Sequence, residues 1–234
     1  MRALLMFALT ALLVWCVAAD FDFDPYFDAD PWLKNKSKEP GVNRLPSGML
    51  FKILIKGSGR KSPHVYDLCD VDYKGTLTSG EQFDSSYDRG QPATFAPNQV
   101  IKGWTEALQL MREGDKWEVY IPYNLAYGEA GRPPTIPAKA TLVFEIELIE
   151  VKSGGRSGEQ ADRHLEAEVG KTIEQLVKES GAMSRSEVDQ QLAEERLAEE
   201  QAEEEERAKH GLAEEQEEEQ EERNQEPGGT GREL

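Results

Sequence analysis

The reagents of ordinary enzyme chemistry are scarce in this chain of 234 residues. It has two cysteines and three histidines. Cys16 falls in an apolar leading stretch, which leaves Cys69 alone in the remainder, so no internal disulfide can form there. His64, His164 and His210 are scattered, without the spacing of a metal site. No G-x-S-x-G, P-loop or G-x-G-x-x-G is present, and we expect neither cofactor nor metal. Basic side chains are also few, 27 against 45 acidic, for a formal charge of −18. That balance argues against nucleic acid, whose phosphates require a basic face.

Aromatics are missing from the last 90 residues, since all nineteen lie at or before Phe144. Residues 151–234 hold 25 acidic and 11 basic side chains, which is −14 of the total. Such a segment buries too little apolar surface to offset ordering entropy. One globular domain followed by a solvated, helical or disordered acidic tail is the expectation. Long apolar runs are lacking too. Ala3–Val17 is the longest, about 15 residues against the roughly 20 of a membrane span. With Arg2 before it and Val17-Ala18-Ala19 after it, residues 1–19 read as a secretory signal cleaved after Ala19; an uncleaved anchor and a buried helix are the alternatives. In that setting Asn35-Lys36-Ser37 makes Asn35 a glycosylation candidate. The ending Gly231-Arg232-Glu233-Leu234 resembles a luminal retention signal with Arg232 at a position usually acidic, so the endoplasmic reticulum lumen and secretion both stand.

What is present is a run of short strands in the middle of the chain. Residues 20–45 alternate aromatics with aspartates and then turn polar, and read as a flexible arm and linker. From Leu50 the period is two: Leu50–Ile55, then Cys69, Val71 and Tyr73, then Trp117, Val119 and Ile121, then Leu142, Phe144, Ile146 and Leu148. Cys69, inside such a strand, is expected to be a buried, inert thiol. Ile101, Trp104, Leu108 and Met111 recur at three and four, one helix of about ten residues with Gly114 as its stop. Antiparallel strands with a helix on the sheet make an α+β domain over 46–151. Residues 152–160 read as a Gly/Ser hinge, so deleting Gly154–Leu234 should leave the activity of the domain nearly intact. Leu165, Val169, Ile173, Leu176 and Val177 form one amphipathic helix over 161–182, a candidate for packing or self-association. Residues 183–234 are the Glu-rich tail.

Five ordered motifs resemble the FKBP family of peptidyl-prolyl isomerases. They are Tyr73-Lys74-Gly75-Thr76-Leu77, Gly80-Glu81-Gln82-Phe83-Asp84-Ser85-Ser86, Val100-Ile101-Lys102-Gly103-Trp104, Leu125-Ala126-Tyr127-Gly128, and Ile136-Pro137-Ala138-Lys139-Ala140-Thr141-Leu142-Val143-Phe144-Glu145. The resemblance covers about Leu45 to Val151. It implies a twisted antiparallel half-barrel sheet wrapped around one short helix, with an apolar pocket between them. By motif, Trp104 is the pocket floor and Tyr73, Phe83, Phe95, Val100, Ile136 and Phe144 bind substrate. The catalytic set implied is Asp84, Tyr127, Ile101 and Trp104. The implied partners are proline-containing polypeptides and macrolides such as tacrolimus and rapamycin. Arg132 and Thr135 depart from the family pattern in a stretch that is usually more apolar, which leaves substrate preference and macrolide affinity open. The alternative is a binding or scaffold module with a partner- or calcium-binding acidic tail.

Overall fold

The computed structural model describes residues 24–202 and residue 207. The 1–19 segment, the start of the arm at 20–23 and most of the Glu-rich tail lie outside the described residues. Two compact units divide the chain, Met1–Arg185 and Ser186–Leu234. In the second, residues 186–202 are helical, with Leu192 and Leu197 exposed.

The first unit is built on a sheet of eight strands: β1 (Asn43–Arg44), β2 (Leu50–Lys56), β4 (Cys69–Leu77), β5 (Gln82–Ser85), β6 (Ala93–Phe95), β7 (Lys116–Ile121), β8 (Leu142–Val151) and β10 (Met183–Ser184). The order is β1-β2-β7-β8-β4-β5, antiparallel throughout. β6 also pairs with β4, and β10 adds to β2 in parallel. β3 (Lys61–Ser62) and β9 (Arg156–Ser157) form a separate two-stranded ribbon. The α+β class is as expected, and among the described residues no closed barrel forms.

Alternation decides which face is buried. Phe51, Ile53, Val71, Tyr73, Trp117, Val119, Ile121, Leu142, Phe144, Ile146 and Leu148 point inward to the main core. The helix Lys102–Leu110 lies against them and contributes Trp104, Ala107, Leu108 and Leu110. Gly103 lets it approach closely, because a Cβ there would meet Ile121 Cγ2 at 2.5 Å. Met111 ends the helix and Gly114, at φ +85°, turns the chain into β7.

Residues 20–45 prove to be folded where they are described. Helix α1 (Pro25–Ala29) and helix α2 (Pro31–Lys36) each begin with an Asp-Pro pair. Asp24 Oδ1 accepts the N–H of Tyr26 and Asp30 Oδ1 that of Trp32, while proline supplies the first helical φ at no hydrogen-bond cost. Phe27 and Leu33 then pack on Leu50 and Tyr120, covering the sheet face opposite the main core. The flexible-arm reading is therefore corrected: alternating Asp and aromatic residues cap helices and fill a second small core. Numbered in order, the helix Lys102–Leu110 is α3.

The Gly/Ser hinge at 152–160 is corrected as well. The Lys152 N–H donates to the Leu68 carbonyl (2.8 Å) and the Gly155 N–H to Asp67 Oδ2 (2.8 Å), and β9 is held by β3. The single helix over 161–182 is two, α4 (Gly158–Val169) and α5 (Ile173–Ser180), broken at Gly170 with φ +70°. Capping boxes Ser157/Gln160 and Thr172/Gln175 start them. Leu165 and Leu176 are fully buried in the main core, with Val169 and Ile173 packed against it. The apolar stripe thus packs into the protein's own core.

Candidate active site

A cavity of about 410 Å³ opens between α3 and the sheet, lined by Tyr73, Phe83, Asp84, Phe95, Gln99, Val100, Ile101, Trp104, Tyr127, Arg132 and Phe144. Nine of the ten residues proposed from the motifs come together here. The exception is Ile136, which is buried and bridges to Arg132 through main-chain hydrogen bonds but does not line the cavity. Its strand-like turn faces it into the core instead.

Trp104 forms the floor because it sits in the first turn of α3, one residue past the close approach at Gly103. Its ring is nearly perpendicular to those of Tyr73 (5.0 Å, 87°), Phe95 (6.3 Å, 86°) and Phe144 (5.2 Å, 83°). Edge-to-face packing of this kind is favourable for quadrupolar rings and makes the walls stand upright on the floor. Phe83 completes the box, edge-on to Phe144 at 5.4 Å. The Trp104 Nε1 is buried and has no hydrogen-bond partner among the described residues.

Two local irregularities place the walls. Gly75 pairs with Asp84 and Thr76 with Gln82, so Phe83 is the extra residue of a β-bulge, which re-aims side chains at a strand edge. Gly75 lies under the rings: a Cβ would meet Phe144 Cε1 and Phe83 Cζ at 2.7 Å each. Ile101 is the N-cap of α3, where the first main-chain N–H groups have no partner within the helix.

The polar groups gather at the mouth. The Tyr73 hydroxyl donates to Asp84 Oδ2 (2.7 Å), Arg89 Nη1 to Asp84 Oδ1 (2.7 Å), and Arg89 Nη2 to the Tyr73 hydroxyl oxygen (2.7 Å). Partial burial alone pushes the Asp84 pKa up. The Tyr73 hydrogen bond and the Arg89 guanidinium outweigh it and hold the carboxyl below the usual carboxylate range. Tyr73 shifts up, first by burial and then by its bond to the carboxylate. Arg89, Gln99 and the lining position of Arg132 were not singled out from sequence. Arg89 acts through a loop contact five residues beyond Asp84, and no residue pattern marks it.

Cys69 lies fully buried beneath this edge, its Sγ donating to the Phe95 carbonyl (3.2 Å). Burial, with the nearby Asp70 and Asp67 charges, pushes the thiol up to about 11, so it is not a nucleophile at neutral pH. Asn35 is exposed in the last turn of α2. Among the described residues no three or more His, Cys, Asp or Glu are placed to hold a metal ion, and no helix is long and apolar enough to cross a membrane.

Fold and cavity together give an α+β domain with an aromatic box and with hydroxyl, carboxylate and amide groups at its rim. Comparison with known proteins gives the family. The profile described as FKBP-type peptidyl-prolyl cis-trans isomerase matches residues 59–149. The macrophage infectivity potentiator of Trypanosoma cruzi is 50% identical over 136 residues, covering 57% of this chain and 69% of the relative. The peptidyl-prolyl cis-trans isomerase Mip of Coxiella burnetii is 51% identical over 118 residues, half of each chain. This chain accordingly belongs to the FKBP-type peptidyl-prolyl cis-trans isomerases. It spans about half the length of the bacterial relatives it matches. Among solved structures, FkpA from Escherichia coli aligns at 44% identity over 51% of this chain and 55% of that one, with a TM-score of 0.49.

Proposed function

We propose that the aromatic cavity is the isomerase site and that it accelerates rotation about X–Pro bonds in polypeptides of the secretory pathway. The observation that carries this reading is the box itself, an indole floor with upright aromatic walls and a carboxylate held ionised at the mouth. An X–Pro bond rotates over a barrier of roughly 18–20 kcal/mol because amide resonance must be broken. Without help this takes tens to hundreds of seconds. The twisted amide is less charge-separated than the planar one, so a dry aromatic cavity favours it relative to the ground state. No nucleophile is needed for that.

In this reading the proline ring rests on Trp104 between Tyr73, Phe83, Phe95, Val100 and Phe144. The Ile101 main-chain N–H and the Tyr127 hydroxyl hold substrate carbonyls, and Asp84 interacts with the twisting amide. Ile136 supports the site from behind, through its two main-chain bonds to Arg132. Macrolides such as tacrolimus and rapamycin occupy the same box. The apolar 1–19 segment supports a secretory address, either the endoplasmic reticulum lumen or the exterior, with Asn35 as a glycan acceptor. The name of one relative, an outer membrane protein of Legionella longbeachae, is in keeping with export.

Exchange NMR on a neutral peptide, acetyl-Ala-Leu-Pro-Phe-amide, tests the reading. Micromolar protein should speed cis–trans exchange, and rapamycin should abolish the effect. Exchange at the uncatalysed rate would sink it.

A further inference from the structure

The charges around the cavity are not equally committed. Arg89 is bound to Asp84 and Tyr73. Lys139 pairs with Glu129 at 3.5 Å. Arg132 lines the cavity, yet among the described residues it makes no ion pair; its guanidinium lies 6.0 Å from the Tyr127 ring centroid. Its backbone is held firmly. The Arg132 N–H donates to the Ile136 carbonyl (2.8 Å) and the Ile136 N–H to the Arg132 carbonyl (3.0 Å). Gly131, at φ +67°, permits the preceding turn, because a Cβ there would meet the Pro137 carbonyl oxygen at 2.2 Å.

An exposed guanidinium carried at the rim on a held backbone, with no carboxylate paired to it among the described residues, is a receptor for one. We propose that Arg132 sets substrate preference, favouring polypeptides in which an acidic residue directly flanks the proline. The proposal rests on the isomerase reading of the cavity. The carboxylate that lines the cavity, Asp84, is already paired with Arg89, so it offers little local repulsion to an acidic substrate. The chain as a whole carries −18 and repels anions at long range. At physiological salt, charges more than about 8 Å away are largely screened, and the contact with Arg132 decides.

The test uses exchange NMR on two peptide pairs, acetyl-Ala-Glu-Pro-Phe-amide against its Gln counterpart and acetyl-Ala-Pro-Glu-Phe-amide against its Gln counterpart. The expected result is that kcat/KM favours Glu over Gln roughly two- to fivefold in at least one pair, the size of an exposed ion pair. Arg132→Gln should bring that ratio to one, and Arg132→Glu should reverse it and favour Lys-containing peptides. Ratios of one in both pairs with the unchanged protein would overturn the proposal. So would a Glu preference that persists in Arg132→Gln. Acceleration of the neutral Gln peptides separates the two readings: its absence sinks the isomerase site itself, whereas its presence with no Glu preference sinks only the role of Arg132.

Discussion

Asp84 keeps its charge because two donors, the Tyr73 hydroxyl and Arg89, converge on it. Replacing it by Asn turns an amide N–H₂ toward one of those donors and removes the charge. We expect kcat/KM for a neutral X–Pro peptide to fall about tenfold, about 1.4 kcal/mol of transition-state stabilisation. Rapamycin affinity should change less. Tyr127→Phe should show the opposite pattern, weakening the macrolide more than the rate, because in the proposed reading its hydroxyl holds a ground-state carbonyl. Equal losses in both quantities for both variants would show that the two residues are not so divided. Cys69 offers a simpler check. With its thiol buried and raised to about 11, it should resist iodoacetamide at pH 8 in the native protein and react only on denaturation. Trp104, Phe144 and Asp84 were legible in the sequence because they stand inside ordered motifs. Arg89 and Gln99 were not, because their place at the cavity comes from loops meeting across space. Ile136 was legible as apolar, but a bridge to Arg132 turns it inward, which no spacing announces.

At the scale of elements, the strands and α3 followed from period two and from the three-and-four spacing of Ile101, Trp104, Leu108 and Met111. The N-terminal helices were missed although their signal was present, for Asp24-Pro25 and Asp30-Pro31 are each an N-cap followed by a first-turn proline. Glycines at 154 and 155 suggested a hinge, but Asp67 and β3 bind that segment down. The tail after Val151 is therefore not dispensable as far as α5. Asp162 on α4 binds Lys56 Nζ (2.8 Å) and Arg112 Nη1 (3.0 Å), and Lys56 also reaches the buried Asp115 at 3.2 Å. Leu176→Ala should destabilise the protein by about 2–5 kcal/mol, the cost of lost burial and a residual cavity. Urea unfolding measures it, and a change under about 0.5 kcal/mol would mean α5 is not docked. Gly75→Ala probes the cavity in the same way: the added methyl must displace Phe83 or Phe144, so peptide affinity should fall while the strand itself persists.

For the molecule as a whole, the charge excess of −18 lies mostly beyond residue 150, while the cavity contributes a paired carboxylate and an arginine without an ion pair among the described residues. The titrating groups at the mouth lie outside the physiological range, since Asp84 is shifted down and Tyr73 up. The isomerase rate should thus be flat from about pH 5 to pH 9. A carboxyl with a depressed folded pKa contributes stability above its unfolded value of about 3.9, and that stability is lost as pH falls through the folded value. A step in kcat/KM near pH 6 or 7 would contradict this assignment. The central claim is that X–Pro rotation occurs on the Trp104 floor, and the indole N–H resonances test it most directly. Trp104 Nε1 and Trp117 Nε1 are both buried without a partner among the described residues, but Trp104 lies in the cavity and Trp117 deep in the core. Titrating the protein with acetyl-Ala-Leu-Pro-Phe-amide should move the Trp104 signal, saturating at the concentration that saturates the exchange rate, and leave Trp117 in place. A peptide that is isomerised while the Trp104 signal stays still would contradict the account.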